Sequence, residues 1–99
     1  MLIKRNKVDF LEWRMGKGGT AELFDIAVLS NRRKGVGREM ITEMENAAKK
    51  KGVSRVYGFV RTENAVAREF YKKLGYKEVL LENFYPDGHA MIIMKSCKE

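Results

Sequence analysis

Residues 21–40 place an apolar run, a basic glycine-containing loop and the start of an amphipathic helix in direct succession. Residues 22–29 are rich in Leu, Phe, Ile and Val, which is typical of a buried strand. Three basic residues at 32–34 then precede Gly35-Val36-Gly37. Over residues 36–48 the apolar positions recur with the spacing of one helix face. The segment therefore predicts a strand, a tight basic loop and a helix.

A loop of this kind has a physical use as an anion site. The N-terminus of a helix carries unpaired N–H groups and a partial positive charge, which attract phosphate. Glycines let the backbone approach an anion closely, and basic side chains add charge. The alternative is that Gly35 and Gly37 only make a tight turn and that the basic side chains are solvated. The residue types alone leave both interpretations open.

Two motifs carry a resemblance to a known family. The letters RRKGVG at residues 32–37 match the R/Q-x-x-G-x-G/A signature of the GNAT superfamily, the acetyl-CoA-dependent N-acetyltransferases. Residues 64–76, NAVAREFYKKLGY, resemble the N-x-x-A-x-x-x-Y-x-x-x-G-F/Y element of the same superfamily. The loop is neither a Walker A loop nor the GxGxxG dinucleotide fingerprint. The chain therefore resembles an N-terminally shortened GNAT protein over residues 21–95.

Composition indicates one small domain, because the 99 residues are 44% hydrophobic and 33% charged. No apolar run approaches ~20 residues, and the N-terminus lacks the apolar region of a signal peptide. The single cysteine, Cys97, cannot form an internal disulfide, so we expect a cytoplasmic protein with a free thiol in its tail. The net charge of +7 attracts polyanions such as coenzyme A, nucleic acid or acidic protein surfaces, and disfavours a polyamine acceptor.

We expect an α/β (α+β) fold in one domain: a mixed, mostly antiparallel sheet of five to six strands with two principal helices. A strand at residues 53–60 follows the first helix, so a right-handed crossover should make it parallel to the central strand. Asn64 is predicted to cap the second helix, and Gly75 to end it. Val66, Phe70 and Leu74 are expected on one face of that helix.

The remaining segments predict short strands. Residues 1–5 and 8–14 predict two strands of an antiparallel meander, and residues 76–81 and 90–95 a last antiparallel pair, with a turn at Pro86-Asp87-Gly88. The superfamily usually begins with a strand and two helices that wall the acceptor site. Residues before the central strand are too few for them here. The resemblance therefore implies that the wall is missing or that another molecule supplies it.

Acetyl transfer from a thioester to an amine needs a neutral amine, a polarised carbonyl, a stabilised thiolate and aligned substrates. It needs no covalent enzyme intermediate and no metal, and the sequence has no cluster typical of metal ligands. The resemblance implies that a bulge splays the central strand from the next one, that the strand backbone contacts pantetheine, and that the loop holds the diphosphate. The residues so implied in acetyl-CoA binding are Ile26, Ala27, Val28, Arg32, Arg33, Lys34, Gly35, Val36, Gly37, Arg38 and Asn64.

Tyr71 is the candidate general acid, because the pKa of a phenol, ~10, is close to that of a thiol, ~8.5. The alternative is a core aromatic. Ribosomal-protein N-terminal acetyltransferases of the superfamily often carry a Glu where this chain has Phe59. Histone-type members place a Glu on the central strand, and Glu22 fits that position as a base. The alternative for Glu22 is a strand-end carboxylate that reaches water, and Asp25 and His89 are weaker candidates for the base.

The leading hypothesis is an acetyl-CoA-dependent N-acetyltransferase that acts by direct attack of a primary amine, with a protein or peptide amine as the acceptor. One alternative is a non-catalytic acyl-CoA-binding or regulatory module, which the short N-terminus and Phe59 favour. A small basic nucleic-acid binder would explain the charge but not the motifs. We also expect a homodimer through the terminal strands at residues 1–5 or 90–95, with apolar residues near Leu11 and Trp13 left exposed.

Overall fold

The structure, a computed structural model, describes residues 1–5, 7–29 and 35–97. These residues form six strands and two helices. In chain order they are β1 (Leu2–Arg5), β2 (Asp9–Met15), β3 (Thr20–Ala27), α1 (Val36–Lys50), β4 (Arg55–Arg61), α2 (Ala65–Lys73), β5 (Lys77–Tyr85) and β6 (Gly88–Ser96). The predicted α/β class, with a mixed, mostly antiparallel sheet and two principal helices, is confirmed.

The strands form one sheet in the order β1-β2-β3-β4-β6-β5. Strands β3 and β4 pair in parallel, as the crossover through α1 predicts. Their register runs from Thr20 opposite Arg55 to Glu22 opposite Tyr57. The other strand pairs of the described residues are antiparallel.

Both helices contribute to one core on one face of the sheet. The stripe predicted by helical spacing places Met40, Ile41 and Met44 of α1 in this core. Leu11 and Trp13 on β2 are 0% and 2% exposed, so the expectation that residues near them lie uncovered is wrong for these two side chains. The alternation along β2 directs both side chains to the face on which α1 packs.

The opposite face of the sheet carries apolar side chains that no described element covers. Val56, Gly58 and Val60 of β4 are buried towards the helices, so Tyr57 and Phe59 lie on the other face. This face therefore provides the exposed apolar surface that we expected near β2.

The second helix begins at a side-chain cap, as predicted. The Asn64 carboxamide oxygen accepts a hydrogen bond from the Ala67 backbone N–H at 3.1 Å. Gly75 has a φ of 93°, which suits the residue that follows a helix end. Val66 of this helix is 76% exposed at the edge of a cavity, whereas Phe70 and Leu74 pack against the core. Neither helix of the described residues is long and apolar enough to cross a membrane.

The C-terminal hairpin differs from the prediction in length and position. β5 extends to Tyr85, past the predicted end at Leu81, with an irregular register between these two residues. β6 lies between β4 and β5, so the expectation that residues 90–95 form a sheet edge is wrong. The chain forms the outer strand first, turns at Pro86 and Asp87, and returns on the inside. The two edges of the described sheet are β1 and β5.

Candidate active site

Strands β3 and β4 are paired along their first residues and then diverge. The pairing of β2 with β3 is irregular, since Trp13 lies opposite Leu23 and Glu12 lies opposite Asp25. Phe24 is thus one residue more than β2 can match. A bulge of this kind bends its strand and increases its twist. The bulge and the strand opening that the resemblance implies are therefore both present.

A cavity of about 290 Å³ occupies the opening between the two strands. β3 contributes Asp25 and Ile26 to its lining, β4 contributes Phe59 and Arg61, and α2 contributes Tyr71. Where β3 and β4 diverge, the backbone groups that face the opening do not pair with the other strand, so they can form hydrogen bonds with a bound ligand. The cavity thus combines unpaired strand backbone with a carboxylate, a phenol and a guanidinium.

A second cavity of about 490 Å³ shares Ile26, Asn64, Ala67 and Tyr71 with the first. The additional lining residues are Val28, Gly37, Val66 and Phe70. Most of these side chains are apolar, and the cavity reaches the first turns of both helices. The two cavities together provide a path from the helix N-termini to the strand opening.

Gly37 is required where α1 begins close to α2. A Cβ atom on Gly37 would lie 3.2 Å from Phe70 Cζ and 3.4 Å from Val28 Cγ2. Gly35 has a φ of 72°, a backbone conformation that favours glycine, and it precedes the first residue of α1, Val36. The glycines predicted in the anion loop therefore serve the backbone turn and the helix packing as well.

Tyr71 is 5% exposed and lines both cavities. Its ring packs edge-on against Phe70 and Tyr76. No hydrogen bond between described residues uses its hydroxyl, whereas the Tyr76 hydroxyl donates to Glu45 at 2.8 Å. Burial, and after it the negative charge of Asp25, raises the pKa of Tyr71 above that of an ordinary phenol. Tyr71 is therefore a neutral hydroxyl that can donate a proton into the cavity.

The basic part of the predicted phosphate loop, Arg32, Arg33 and Lys34, lies outside the described residues. The chain that leads into it is anchored by a buried carboxylate, because Asp9 is 0% exposed and Asp9 Oδ1 accepts a hydrogen bond from the Leu29 N–H at 2.7 Å. Sequence reasoning did not single out Asp9. The sequence feature that could have indicated its burial is that Asp9 lies on the same side of β2 as Leu11 and Trp13, which are buried.

Arg38 does not join the cavities that Gly37 borders. It lines a separate groove of about 610 Å³ between β1 and α1. Arg5 and Glu43, which form an ion pair, line the same groove. Successive residues of a helix point in directions about 100° apart, so the two neighbours face different surfaces.

Glu22 lies on the paired part of β3 and lines neither cavity. Its carboxylate accepts hydrogen bonds from Arg14 Nε at 3.0 Å and Nη2 at 2.9 Å. Ile26 and Val28 of the predicted pantetheine segment line the second cavity, whereas Ala27 is paired with Phe10 in the sheet. The structure thus separates Glu22 from Tyr71, which sequence reasoning had placed in one site.

An aromatic cluster borders the opening on the uncovered face of the sheet. Phe59 and Phe84 stack with centroids 4.7 Å apart, and Phe84 meets Tyr85 edge-on. The Arg61 guanidinium lies 4.0 Å from the centre of the Tyr85 ring. Sequence reasoning noted Phe59 only as a missing carboxylate, because the cluster forms between β4 and the C-terminal hairpin. His89 is exposed and uses Nδ1 to accept the Asn83 N–H.

Within residues 1–5, 7–29 and 35–97, no three His, Cys, Asp or Glu side chains group as a metal site. The expectation that the reaction needs no metal stays a prediction. Cys97 is half-buried, and burial raises the pKa of its thiol above the usual value, which lowers its reactivity.

Both the sequence and the fold resemble those of known proteins. The sequence profile of the acetyltransferase (GNAT) family matches residues 4–76. The [ribosomal protein bS18]-alanine N-acetyltransferase of Escherichia coli is 37% identical over 78 residues, which are 75% of this chain and 53% of that protein. An N-alpha-acetyltransferase of Sulfurisphaera tokodaii is 40% identical over 72 residues, which are 70% of this chain and 43% of that protein. The chain spans about half the length of the curated relatives it matches.

Solved structures resemble the whole described fold. The PaiA N-acetyltransferase of Thermoplasma acidophilum in complex with coenzyme A superposes with a TM-score of 0.78 at 26% identity. That match covers 90% of this chain and 53% of the other. The protein that shares this fold was therefore solved with coenzyme A bound.

Proposed function

Because the chain belongs to the acetyltransferase (GNAT) family, we propose that it moves an acetyl group from acetyl-CoA to a primary amine. The observation that carries the proposal is the opening between β3 and β4, where Tyr71 borders both the cavity in the sheet and the cavity that reaches the helix N-termini. This arrangement suits a direct transfer, in which two substrates meet from two sides.

The acceptor that we propose is the N-terminal α-amine of a protein or peptide. The relative from Sulfurisphaera tokodaii is named as an N-alpha-acetyltransferase, and the one from Escherichia coli is named for an alanine of ribosomal protein bS18. An α-amine has a pKa of ~8, so roughly a tenth of it is neutral at pH 7, far more than of a lysine with a pKa of ~10.4. A site with a modest base can therefore use an α-amine. The net charge of +7 further disfavours small polycations as acceptors.

Acetyl-CoA supplies the activated acetyl group, and the lining of the second cavity fits its pantetheine arm. Ile26, Val28 and Phe70 provide apolar contacts. Asn64 and Gly37, at the starts of α2 and α1, place helix N-termini next to the path, where phosphate oxygens are favoured. Binding of the diphosphate by Arg32 to Lys34 and by the backbone at Gly35 and Val36 remains part of this proposal, and so does a contribution of Arg38.

Tyr71 acts in this proposal as the donor to the departing sulfur. Its raised pKa keeps it protonated at any physiological pH, so the donor form is always present. The same shift makes complete proton transfer to a thiolate with a pKa of ~8.5 less favourable. Tyr71 therefore stabilises the thiolate chiefly by a short hydrogen bond until the thiolate is protonated.

A matched pair of α2 variants tests the binding path. Ala67→Phe places a large ring where the two cavities meet, whereas Glu69→Phe changes an exposed position of the same helix that lines neither cavity. We expect Ala67→Phe to lower acetyl-CoA affinity at least about tenfold, that is by about 1.4 kcal/mol, and Glu69→Phe to leave it unchanged. Calorimetric titration of folded proteins measures this. Equal affinities in both variants would contradict the proposed path.

A non-catalytic acyl-CoA-binding module is the second candidate. Phe59 is an apolar ring in an aromatic stack, and Glu22 is engaged by Arg14, so neither residue offers a free base. Release of free thiol from acetyl-CoA in the presence of N-terminal peptides decides between the candidates. Tight cofactor binding without thiol release for any peptide would favour the binding module.

The proposed assembly is a homodimer. Both edges of the described sheet carry exposed apolar side chains, Leu2 on β1 and Val79 and Phe84 on β5. An unpaired edge strand next to apolar surface is a usual place for association through a two-fold axis. Light scattering at micromolar concentration tests it, and the monomer mass would refute the dimer. A cytoplasmic location stays a prediction.

A further inference from the structure

We propose that Asp25 is the group that takes up the proton of the acceptor amine. The inference rests on the proposed acetyl transfer and names the base, which the motifs left open. Asp25 contributes a carboxylate to the cavity that Tyr71 borders, and it directly precedes Ile26 of the proposed pantetheine segment. It is also solvent-exposed, so a proton that it accepts can leave to water.

The bulge explains why Asp25, three residues after Glu22, occupies the opening. If β3 alternated regularly through Phe24, Asp25 would lie on the same face as Leu23, which is buried in the core. The two-against-one pairing at Glu12 breaks that alternation and brings Asp25 opposite Glu12. The bulge therefore places a carboxylate at the point where the strands part.

Three other charged side chains lie near Asp25, and only one of them is a carboxylate that lines the same cavity. Arg61 lines the same cavity, but its guanidinium pairs with Asp87 and lies over an aromatic ring. Glu63 also lines the cavity, and its carboxylate approaches the hairpin at Gly88. On the neighbouring β2, Glu12 stands opposite Asp25 and lines neither cavity. Glu63 is thus the competing carboxylate within the cavity.

The proposed step balances without any further reactant. The neutral amine nitrogen attacks the thioester carbonyl carbon, a C–N bond forms, and the nitrogen becomes positively charged. The proton on this nitrogen passes to the Asp25 carboxylate directly or through one water. A weak base can accept this proton because a cationic nitrogen bound to a tetrahedral carbon is strongly acidic. The C–S bond breaks with its electron pair on sulfur, and the Tyr71 hydroxyl donates a hydrogen bond to the thiolate. The thiolate then takes a proton from solvent, and Asp25 releases to water the proton that it accepted.

Protonation of Asp25 also helps Tyr71. The negative charge of Asp25 is the second cause, after burial, that raises the pKa of Tyr71. When the carboxylate becomes neutral, this contribution disappears and the phenol becomes a stronger acid. The acid therefore gains strength at the moment when the base has been used.

The first arm of the test measures thiol release across the pH range with an N-terminal peptide. Asp25→Asn should lower turnover by about 10²-fold at low pH, and the deficit should shrink as pH rises because hydroxide replaces the carboxylate. Asp25→Glu should recover part of the rate. Glu12→Gln, which removes the carboxylate across the strand pair, should follow the wild-type profile. The proposal is overturned if Asp25→Asn shows the pH profile of wild type. It is also overturned if the turnover deficit at low pH appears in Glu63→Gln instead of Asp25→Asn.

The second arm does not depend on turnover. With ¹³C label at the tyrosine ring carbon that bears oxygen, the Tyr71 resonance, assigned with Tyr71→Phe, should shift in wild type as the pH is lowered from neutral into acid, and should not shift in Asp25→Asn. A Tyr71 resonance that behaves alike in both proteins overturns the proximity of Asp25 to Tyr71. If wild type releases no thiol with any peptide while the resonance does shift, the proposed transfer fails and the base role fails with it, but the proximity of Asp25 to Tyr71 stands. If wild type and Asp25→Asn release thiol with different pH profiles but the Tyr71 resonance does not shift, the proposed transfer stands. In that case only the proposed effect of Asp25 on the Tyr71 hydroxyl is overturned.

Discussion

The two ends of the β3–β4 pair differ in what the same strands do. At the first end Glu22 lies opposite Tyr57 in a regular ladder, and its carboxylate is held by Arg14. At the other end the strands part, and Asp25 and Tyr71 border a cavity. Two carboxylates three positions apart on one strand therefore differ in their surroundings, since Glu22 is paired with Arg14 and Asp25 lines the cavity. The comparison teaches that the environment of a carboxylate on this strand follows strand pairing and not residue type.

Two buried tyrosines of α2 and the segment after it repeat the contrast. Tyr71 and Tyr76 pack edge-on with ring centroids 5.5 Å apart. The Tyr76 hydroxyl is bonded to Glu45, which also accepts from Lys95 at 3.2 Å, whereas Tyr71 directs its ring to the cavities. Tyr76 therefore links α1 to the sheet, whereas Tyr71 lines both cavities.

The largest expected effect separates these tyrosines. Tyr71→Phe should lower turnover by about 10- to 1000-fold with little change in acetyl-CoA affinity, because the hydroxyl acts on the leaving sulfur. Tyr76→Phe should lower stability by about 1 kcal/mol through the lost hydrogen bond and leave turnover intact. Thiol-release kinetics and denaturant unfolding of both variants measure the contrast. Equal turnover in Tyr71→Phe would reduce Tyr71 to a packing residue.

A smaller effect is expected where the strands begin to part. A Cβ atom on Gly58 would lie 3.1 Å from the Leu23 carbonyl oxygen, so Gly58→Ala must push β3 and β4 apart at the closed side of the cavity. We expect a stability loss of about 1–3 kcal/mol together with weaker acetyl-CoA binding. Gly88→Ala is the control, because its nearest neighbour would be Arg61 Nη1 at an ordinary 3.5 Å. Unfolding curves that rank the two variants in the reverse order would show that the strands tolerate the approach.

The ion pair that holds α2 against β5 gives a pH-dependent effect. Arg68 Nη2 lies 2.9 Å from Glu78 Oε2, and this hydrogen bond and charge lower the pKa of Glu78. A lowered folded-state pKa contributes stability above the unfolded value of ~4.3, and that stability is lost as pH falls through the folded value. Glu78→Gln should therefore differ from wild type by up to about 1 kcal/mol near neutral pH and converge with it in acid. Urea unfolding at several pH values, with the exposed Glu82→Gln as control, shows whether the difference persists in acid, which would exclude this cause.

The smallest effect is expected at the paired end. Glu22→Gln weakens a pair whose Arg14 side chain is 61% exposed, so the stability loss should stay below about 1 kcal/mol. Turnover should show the same pH dependence as wild type if Asp25 is the base. A deficit confined to low pH would instead return the role to Glu22, as its position in the motif first indicated. Thiol release across the pH range measures this directly.

Local patterns in the sequence were sufficient for much of the fold. The helical spacing of Met40, Ile41 and Met44 predicted the buried side of α1, and Asn64 and Gly75 marked the ends of α2. These features depend on neighbours within a few residues, where helix periodicity and capping act. The alternation in β2 likewise separated Trp13 from Glu12. The crossover rule supplied the parallel pair.

Contacts between distant segments were beyond the reach of such patterns. The inward position of β6, the stack of Phe59 on Phe84 and the hydrogen bond from Leu29 to Asp9 join residues that lie 20 or more positions apart. Periodicity describes which side of an element is apolar, but it does not say which element will cover it. For that reason Leu11, which is buried beneath α1, was expected to lie in an uncovered region.

The sequence by itself determined the family, the order of strands and helices, and the presence of a tyrosine and a glycine-containing loop suited to acetyl-CoA. The tertiary structure decided which carboxylate lines the cavity that this tyrosine borders. Glu22 and Asp25 lie on one strand, and only the bulge at Phe24, which arises from how β3 pairs with β2, turns Asp25 into the opening and leaves Glu22 beside Arg14. Strand register is set by side chains packing across the whole sheet, so a single strand read alone does not contain it.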